Sequence, residues 1–137
     1  MNELHTGHCL CGAVDYSFTA QPEAVVACHC GHCQRHTGSA FSVNVLVPRE
    51  SLAITGQLKS FQTTGKENGH LRDRYFCGSC GTPVFTLLHE NPEVMIVKAG
   101  TLDDASWLEP QAHVWWRRRQ GWVQAAGVPV FAGDLEA

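Results

Sequence analysis

Seven cysteines, grouped into three short clusters, carry most of the chemistry that this sequence offers. They are Cys9 and Cys11 in GHCLCG, Cys28, Cys30 and Cys33 in CHCGHC, and Cys77 and Cys80 in FCGSCG. Structural zinc sites usually take four protein ligands, whereas catalytic zinc sites take three and leave one position open. Since seven divides into four plus three, the spacing predicts one closed metal site and one open metal site.

Disulfide bonds are the main alternative use of these cysteines. Secreted disulfide scaffolds usually have an even number of cysteines in a shorter chain, whereas the number here is odd. The opening residues MNELHTGHCL contain neither the basic region nor the apolar region of a signal peptide. No apolar run has the length of a bilayer crossing. We therefore expect a cytoplasmic protein without membrane association, in which clustered thiols bind metal.

The first and last cysteine pairs are predicted to form the closed site. Residues 12 to 76 lie between them, but the entropy of closing a loop grows only slowly with its length. A glycine, Gly12 or Gly81, follows each pair, as a tight metal-binding turn often requires. Four thiolates leave no open position on zinc, so this site is predicted to be structural. Its ligands would be Cys9, Cys11, Cys77 and Cys80.

The central cysteines are predicted to form the open site. Cys28, Cys30 and Cys33 span six residues and can cover one face of a metal ion without help from elsewhere. Three thiolates leave a fourth position for water or substrate. They also reduce the power of zinc to activate water, and soft ligands favour a soft partner such as a thiolate. These residues therefore predict a small-molecule thiol as the substrate.

Other sites built from cysteines fit less well. A redox C-x-x-C motif would be expected within a βαβ pattern, which neither C-x-x-C segment has. Covalent haem attachment requires a histidine where Gln34 and Gly81 stand. Nucleobase deaminases require H-x-E and P-C-x-x-C, and both are missing from the sequence. Cysteine ligands by themselves do not distinguish zinc from an iron–sulfur cluster, but the spacing of the cysteines favours zinc.

Three histidines flank the central cysteines and are candidates for proton transfer. His29 and His32, followed by His36, lie within or next to this cluster, and histidine titrates near neutral pH. The alternative for each is a supporting or surface position. His113 has apolar neighbours and is expected in the core.

Length and composition indicate an ordinary globular chain. The 137 residues, 44% hydrophobic and 17% charged, predict a single domain over residues 1–137. The net charge of -3 argues against a nucleic-acid binder, which must neutralise phosphates. The basic residues 117–119 are expected to be solvated, although a local anion site is an alternative. At least three of the four tryptophans are expected to pack in or beside the core, and one could line the mouth of the open site.

The pattern of apolar residues predicts a mainly β fold with little helix. Val14, Tyr16 and Phe18 alternate with polar residues, which is the period of a half-buried strand. Further strands are predicted before Cys28 and at residues 41–47, 72–76, 84–88, 94–98, 113–116 and 128–131. A helix of one or two turns is predicted after Cys30, ending at about Thr37. Several short strands separated by turns favour a sandwich or a folded sheet over a parallel α/β design.

The ordered motifs resemble those of a known family. They are GHCLCGAVDYSF, CHCGHCQRHTGSAFSV, ITGQLKSF, RYFCGSCGTPVF, KAGTLDD and the late HVWW, GW and GVPVF. From about residue 7 to residue 131 the chain resembles the glutathione-dependent formaldehyde-activating enzymes. The resemblance implies a β-tent fold, with short antiparallel strands around zinc-binding turns and two zinc ions per chain. It also implies a structural zinc on Cys9, Cys11, Cys77 and Cys80, and a catalytic zinc on Cys28, Cys30 and Cys33.

The resemblance further implies an activity. Members of the family join glutathione and formaldehyde into S-hydroxymethylglutathione, which is a carbon–sulfur lyase reaction in reverse. The expected partner is therefore glutathione, its adduct or a related thiol. Two alternatives are a carrier that binds a thiol adduct without accelerating chemistry and a zinc-stabilised protein-interaction module. Because function depends on the site and not on the fold, the structure of the site has to distinguish them.

Overall fold

A computed structural model describes residues 3–134, most of whose regular structure is β-strand. The strands are β1 His5–His8, β2 Asp15–Phe18, β3 Ala24–Cys28, β4 Ser42–Pro48, β5 Ala53–Thr55, β6 Leu58–Thr64, β7 Leu71–Cys77, β8 Pro83–Leu88, β9 Val94–Lys98 and β10 Ala112–Val114. Within the described residues one α-helix, α1, spans Gly31–Thr37. Short 3-10 segments occupy Arg49–Ser51, Ala99–Thr101 and Trp116–Arg118.

The strands form two sheets. A three-stranded sheet has the order β1-β2-β5, and a seven-stranded sheet has the order β10-β3-β4-β9-β8-β7-β6. Neighbouring strands are antiparallel except for β10 and β3, which are parallel. The prediction of a mainly β fold with short antiparallel strands and little helix is therefore confirmed. Among residues 3–134, no helix has the length and hydrophobicity that a membrane crossing needs.

The main core lies between the two sheets. Side chains alternate across a strand, so Val45 and Val47 of β4 and Val97 of β9 point to the same face. They are 0% exposed and pack in one cluster with Tyr16 and Phe18 of β2. Burying an apolar side chain of this size contributes about 1.5–3 kcal/mol, so this layer holds the small sheet against the large one.

The opposite face of the seven-stranded sheet carries Cys28 and several polar residues. The register places Cys28 opposite Ser42, and Asn44 opposite Lys98. Helix α1 covers part of this face, because its residue Cys33 packs with Cys28 in a second buried cluster. The sheet therefore holds the polar residues in fixed positions beneath the helix.

Local contacts explain why α1 is short. The Sγ atom of Cys30 accepts a hydrogen bond from the backbone N–H of Cys33 at 3.3 Å and so caps the first turn. Gly38 ends the helix with a φ of 66°, which glycine adopts without the steric penalty of a side chain. Its N–H donates to the carbonyl of Gln34 at 2.9 Å. The predicted short helix after Cys30 is confirmed.

Two strand predictions near the end of the chain require correction. Residues 128–131 do not form a strand, and only an isolated bridge joins Val130 to His113. Pro129 has no N–H to donate, so a hydrogen-bonded ladder cannot continue through it. The strand predicted at 113–116 ends at Val114 in β10, because Trp115 adopts a left-handed conformation with a φ of 55°. The other predicted strands are present, with ends that differ by at most about a residue.

Candidate metal centres

The first and last cysteine pairs meet where the two sheets adjoin. Cys9 and Cys11 follow β1, while Cys77 ends β7 and Cys80 lies in the turn after it. The four Sγ atoms lie within 4.8 Å of one another. The distance is 3.7 Å between Cys9 and Cys11 and 3.8 Å between Cys11 and Cys77. Four sulfurs at the usual zinc distance of 2.3 Å in a tetrahedron are about 3.8 Å apart, so this group fits a tetrahedral ion.

Hydrogen-bond donors in this group favour the thiolate form of Cys9 and Cys80. The backbone N–H of Val14 lies 3.3 Å from the Sγ atom of Cys9. The hydroxyl of Thr82 lies 3.1 Å from the Sγ atom of Cys80. Hydrogen bonds from Thr82 lower the pKa of Cys80 to about 5. Since metal ligands must be deprotonated, these donors prepare the group for a cation.

The central cysteines form a second group, open on one side. Cys28 ends β3, Cys30 caps α1, and Cys33 lies in the first turn of α1. Their Sγ atoms also lie within 4.8 Å of one another, and no further His, Cys, Asp or Glu joins them among the described residues. Cys28 and Cys33 are buried, whereas Cys30 is only partly buried. A metal held here would have three protein ligands and a vacant position on the side of Cys30.

The surroundings of this group shift the pKa values of its thiols in different directions. The pKa of Cys33 is lowered by hydrogen bonds from Cys28 and Cys30 and by the positive charges of Lys98 and Arg74. The pKa of Cys28 is raised, because its neighbouring thiols and its burial favour the protonated form. Metal ligands must be deprotonated, so a cation bound here would displace the protons that these thiols hold.

A cavity of about 420 Å³ opens beside Cys30. It lies between the N-terminal turn of α1, the loop that joins β6 to β7, and the segment after β10. The charged residues that line it are Arg35, Lys66, Arg72, Arg74, Arg118 and Glu67. Five cations and one carboxylate create a positive potential, which attracts anionic ligands.

Some of these cations are already paired. Arg72 lies 2.5 Å from Glu90, and Arg118 lies 3.0 Å from Glu67. The other three have no carboxylate within 4.0 Å among residues 3–134, and they are Arg35, Lys66 and Arg74. The cavity therefore retains positive charge that a ligand can neutralise.

The candidate histidines occupy different environments. His32 lines the cavity, and burial together with Arg74 and Lys66 lowers its pKa. His29 is 0% exposed, and its Nε2 atom lies 2.8 Å from Nδ1 of His113. His113 is buried, as expected for a core residue. Of His29 and His32, only His32 lies on the wall of the cavity.

The tryptophans and the basic run near the end of the chain lie at or near the surface. Trp115 lines the cavity, which agrees with the expectation that one tryptophan lies at the mouth of the open site. Trp115 and Trp116 are partly buried, Trp107 stacks on His5 with a centroid distance of 4.2 Å, and Trp122 is 74% exposed. Residues 117–119 are exposed, as expected, and Arg118 also reaches the cavity.

Lys98 and Arg74 are features of the site that sequence analysis missed. Both side chains are only 6% exposed. Strand register places them, because Lys98 of β9 lies opposite Asn44 of β4, and Arg74 of β7 lies opposite Thr86 of β8. The sequence signal was a charged residue at the end of an apolar run, as in VMIVK. Such residues usually mark the solvent end of a strand, so the pattern alone did not indicate burial.

Comparison with known proteins identifies the family. The sequence profile described as glutathione-dependent formaldehyde-activating enzyme matches residues 4–118. The chain belongs to this family. The family match includes all seven cysteines and the residues on both sides of each group.

Curated relatives with the same family name are longer than this chain. A Penicillium rubens protein named "Putative glutathione-dependent formaldehyde-activating enzyme" is 28% identical over 107 residues, which cover 76% of this chain and 55% of the relative. A Podospora anserina protein of the same name is 29% identical over 75% of this chain and 50% of its own length. The chain thus spans about half the length of these relatives.

A solved structure shares the fold. The crystal structure of a Rhodobacter sphaeroides protein matches with a TM-score of 0.56 and 24% sequence identity. The match covers 77% of this chain and 91% of the other. The arrangement of sheets described above therefore occurs in a protein of similar extent.

Proposed function

We propose that the protein is a zinc-dependent enzyme that forms or cleaves the carbon–sulfur bond of S-hydroxymethylglutathione or a related thiol adduct. The observation that carries this proposal is a three-cysteine group that opens into a cationic cavity. In this proposal two zinc ions bind per chain. One is structural, on Cys9, Cys11, Cys77 and Cys80, and the other is catalytic, on Cys28, Cys30 and Cys33.

The donor sets support zinc in both positions. The sulfur separations of the first group agree with a tetrahedral ion, and the second group offers three thiolates with one open side. When bound at the second group, zinc supplies a Lewis-acidic position that favours the deprotonated form of a thiol. The chain itself holds Cys28 and Cys33 in buried positions and leaves access on the side of Cys30.

The cavity supports a thiol that carries carboxylates. Glutathione is a tripeptide with two carboxylates, and its thiol lies on the residue between the two ends. A volume of about 420 Å³ is within the range of small-molecule sites. Arg35 and Lys66 are exposed cations on its wall and would contact the carboxylates. Their charge would hold the peptide while its sulfur points towards Cys30.

The reaction balances without an oxidant or reductant. The thiol sulfur forms a bond to the carbonyl carbon of formaldehyde, and the carbonyl electron pair moves to the oxygen. The oxygen takes up the proton that the thiol gives up, and cleavage of the adduct is the reverse. His32 lines the cavity and is the histidine placed to exchange that proton. His29, enclosed and bonded to His113, would support the geometry of the segment between Cys28 and Cys30.

The test is the rate of adduct formation against the spontaneous reaction of glutathione with formaldehyde. We expect the zinc-loaded protein to raise the rate above this background and Cys30→Ser to return the rate to it, because the substitution removes one of three ligands. Arg49→Gln, an exposed change outside the residues that line the cavity, serves as the matched control and should keep the wild-type rate.

Two outcomes would contradict the proposal. Wild-type protein that binds glutathione but leaves the rate at background would instead support a thiol-adduct carrier. Equal acceleration by the wild type and by Cys30→Ser would show that the reactive centre lies elsewhere. Thermal unfolding of each variant verifies that a lost rate does not reflect a lost fold.

A further inference from the structure

We propose that Lys98 and Arg74 are positioning residues that stabilise the negative charge of the thiolate–metal complex on Cys28, Cys30 and Cys33. We call these two residues the buried cation pair. Their charge would favour an anionic fourth ligand, such as a substrate thiolate, over a neutral one. This inference rests on the proposed function, because it assumes that this group binds a metal ion.

The sheet register places Lys98 next to the cysteine group. Ser42 of β4 lies directly opposite Cys28 of β3, and opposite residues on adjacent strands have Cβ atoms about 4.5–5.5 Å apart. The Nζ atom of Lys98 donates to the Oγ atom of Ser42 at 2.9 Å and to Oδ1 of Asn44 at 3.2 Å. One hydroxyl therefore separates the ammonium group from the position of Cys28.

Arg74 lies on the same face, two strands further across the sheet. It belongs to β7, while Lys98 belongs to β9, and only β8 lies between them. Its Nε atom donates to the Oγ1 atom of Thr63 at 3.0 Å, and its side chain forms part of the cavity wall. The pair thus extends from beneath the cysteine group to the cavity.

Neither cation has a carboxylate as its counter-charge within the described residues. No Asp or Glu oxygen lies within 4.0 Å of Lys98 or Arg74 in residues 3–134. The hydrogen-bond acceptors of both are neutral hydroxyl and amide groups. A buried charge without a partner is costly, so an anion is expected close by.

The cysteine group is the anion that these surroundings provide. Ser42, whose hydroxyl accepts from Lys98, lies opposite Cys28, and Arg74 lines the same cavity as Cys30. On the helix side, burial and then the same two charges lower the pKa of His36 to about 4, so it is neutral near pH 7. His36 therefore adds no positive charge, and α1, with the sequence GHCQRHT, has no carboxylate that could balance the pair. The thiolates of the cysteine group are the counter-charge that remains.

The charges match best when the fourth ligand is a thiolate. Three thiolates and a divalent ion have a formal charge of about -1, and a fourth thiolate brings it to about -2. The two cations then balance the complex, whereas a neutral fourth ligand leaves one positive charge in excess. Charges interact more strongly in a protein interior than in water, so this difference affects which ligand binds.

The test compares an anionic with a neutral ligand on the metal-loaded protein. Cobalt(II) in place of zinc reports each ligand through its absorption spectrum, and the probes are 2-mercaptoethanol and imidazole. Because 2-mercaptoethanol has no carboxylate, its binding does not depend on Arg35 or Lys66. We expect Lys98→Met to lower the affinity for 2-mercaptoethanol by about tenfold or more, and to change the affinity for imidazole by less than about twofold.

Further variants separate charge from packing. Arg74→Gln should likewise weaken the binding of 2-mercaptoethanol more than that of imidazole. Lys98→Arg, which keeps the charge, should retain thiol binding. Lys59→Met removes an exposed cation of β6 as the matched control and should change neither affinity. If Lys98→Met does not fold, Arg74→Gln decides the result.

The outcomes distinguish this inference from the proposed function. Equal weakening of both ligands in Lys98→Met and Arg74→Gln would show a purely structural role and overturn the inference alone. Unchanged affinities in both variants would also overturn it. Wild-type protein that binds metal at this group but shows no spectral change with thiol would overturn the proposed function as well.

Discussion

Cys30 differs from the other two cysteines of the open group in its access to solvent. It is partly buried, while Cys28 is 7% and Cys33 is 4% exposed. If a metal ion is held here, a fourth ligand would reach it from the side of Cys30, which is also where the cavity lies.

We expect glutathione to bind through its sulfur and S-methylglutathione to bind at least about tenfold more weakly. The methylated analogue keeps both carboxylates, so it removes only the metal–sulfur bond. Since binding releases the thiol proton, affinity should rise with pH until the free thiol ionises near its reference pKa of about 8.5. Calorimetry in buffers of different ionisation enthalpy counts the released proton. Equal affinities without proton release would mean that the cavity cations alone hold the peptide.

Residue types and short spacings predicted the two cysteine groups, because metal ligands of one turn lie close in sequence. Their division into four and three required only the count and the open-position rule. Lys98 and Arg74 could not be predicted in the same way, since the contact of Lys98 with Ser42 and the place of Arg74 on the cavity wall depend on strand register across β4, β7 and β9. Register is set by packing of whole strands, which periodicity does not reveal.

At the scale of elements, the four-cysteine group joins the small sheet to the large one. Cys9 and Cys11 follow β1, and Cys77 and Cys80 lie at the end of β7. Strands as short as β1, with four residues, and β5, with three, form few hydrogen bonds of their own. A metal at this group would therefore contribute directly to holding the sheets together.

We expect Cys80→Ser to lower the melting temperature by more than about 10 °C, since it breaks this connection. Cys30→Ser should lower the melting temperature by less than about 3 °C, because α1 and β3 stay packed without the open site. Thermal unfolding followed by circular dichroism measures both. Similar losses in the two variants would contradict the assignment of one group as structural and the other as catalytic.

Strand predictions succeeded where apolar alternation was clear, as in β4 and β9. They missed β1, β5 and β6. The sequence of β6, LKSFQTT, is mostly exposed and has no regular period. They were wrong at residues 128–131, where an apolar run contains Pro129 and forms only one bridge. Whether a segment at the edge of a sheet forms a strand depends on the strand that it pairs with, and the sequence of the segment itself indicates this poorly.

At the scale of the whole molecule, the four-plus-three arrangement predicts metal content. We expect protein purified without chelators to hold two zinc ions per chain, one of which a chelator removes faster because three protein ligands hold it instead of four. Elemental analysis before and after brief chelation measures the number. One ion per chain, unchanged after zinc is added back, would contradict the open site.

The two cysteine groups also become complete at different times during synthesis. Cys28, Cys30 and Cys33 span six residues, so their thiols can meet as soon as that segment leaves the ribosome. Cys9 and Cys11 emerge earlier, but their group is complete only when Cys80 has been synthesised. At a synthesis rate of about 5–20 residues per second, this happens some seconds later. During that interval the local group is the better competitor for an incoming ion. Metal loading is therefore expected to begin in the middle of the chain, and the earliest thiols are those with the longest exposure to oxidation.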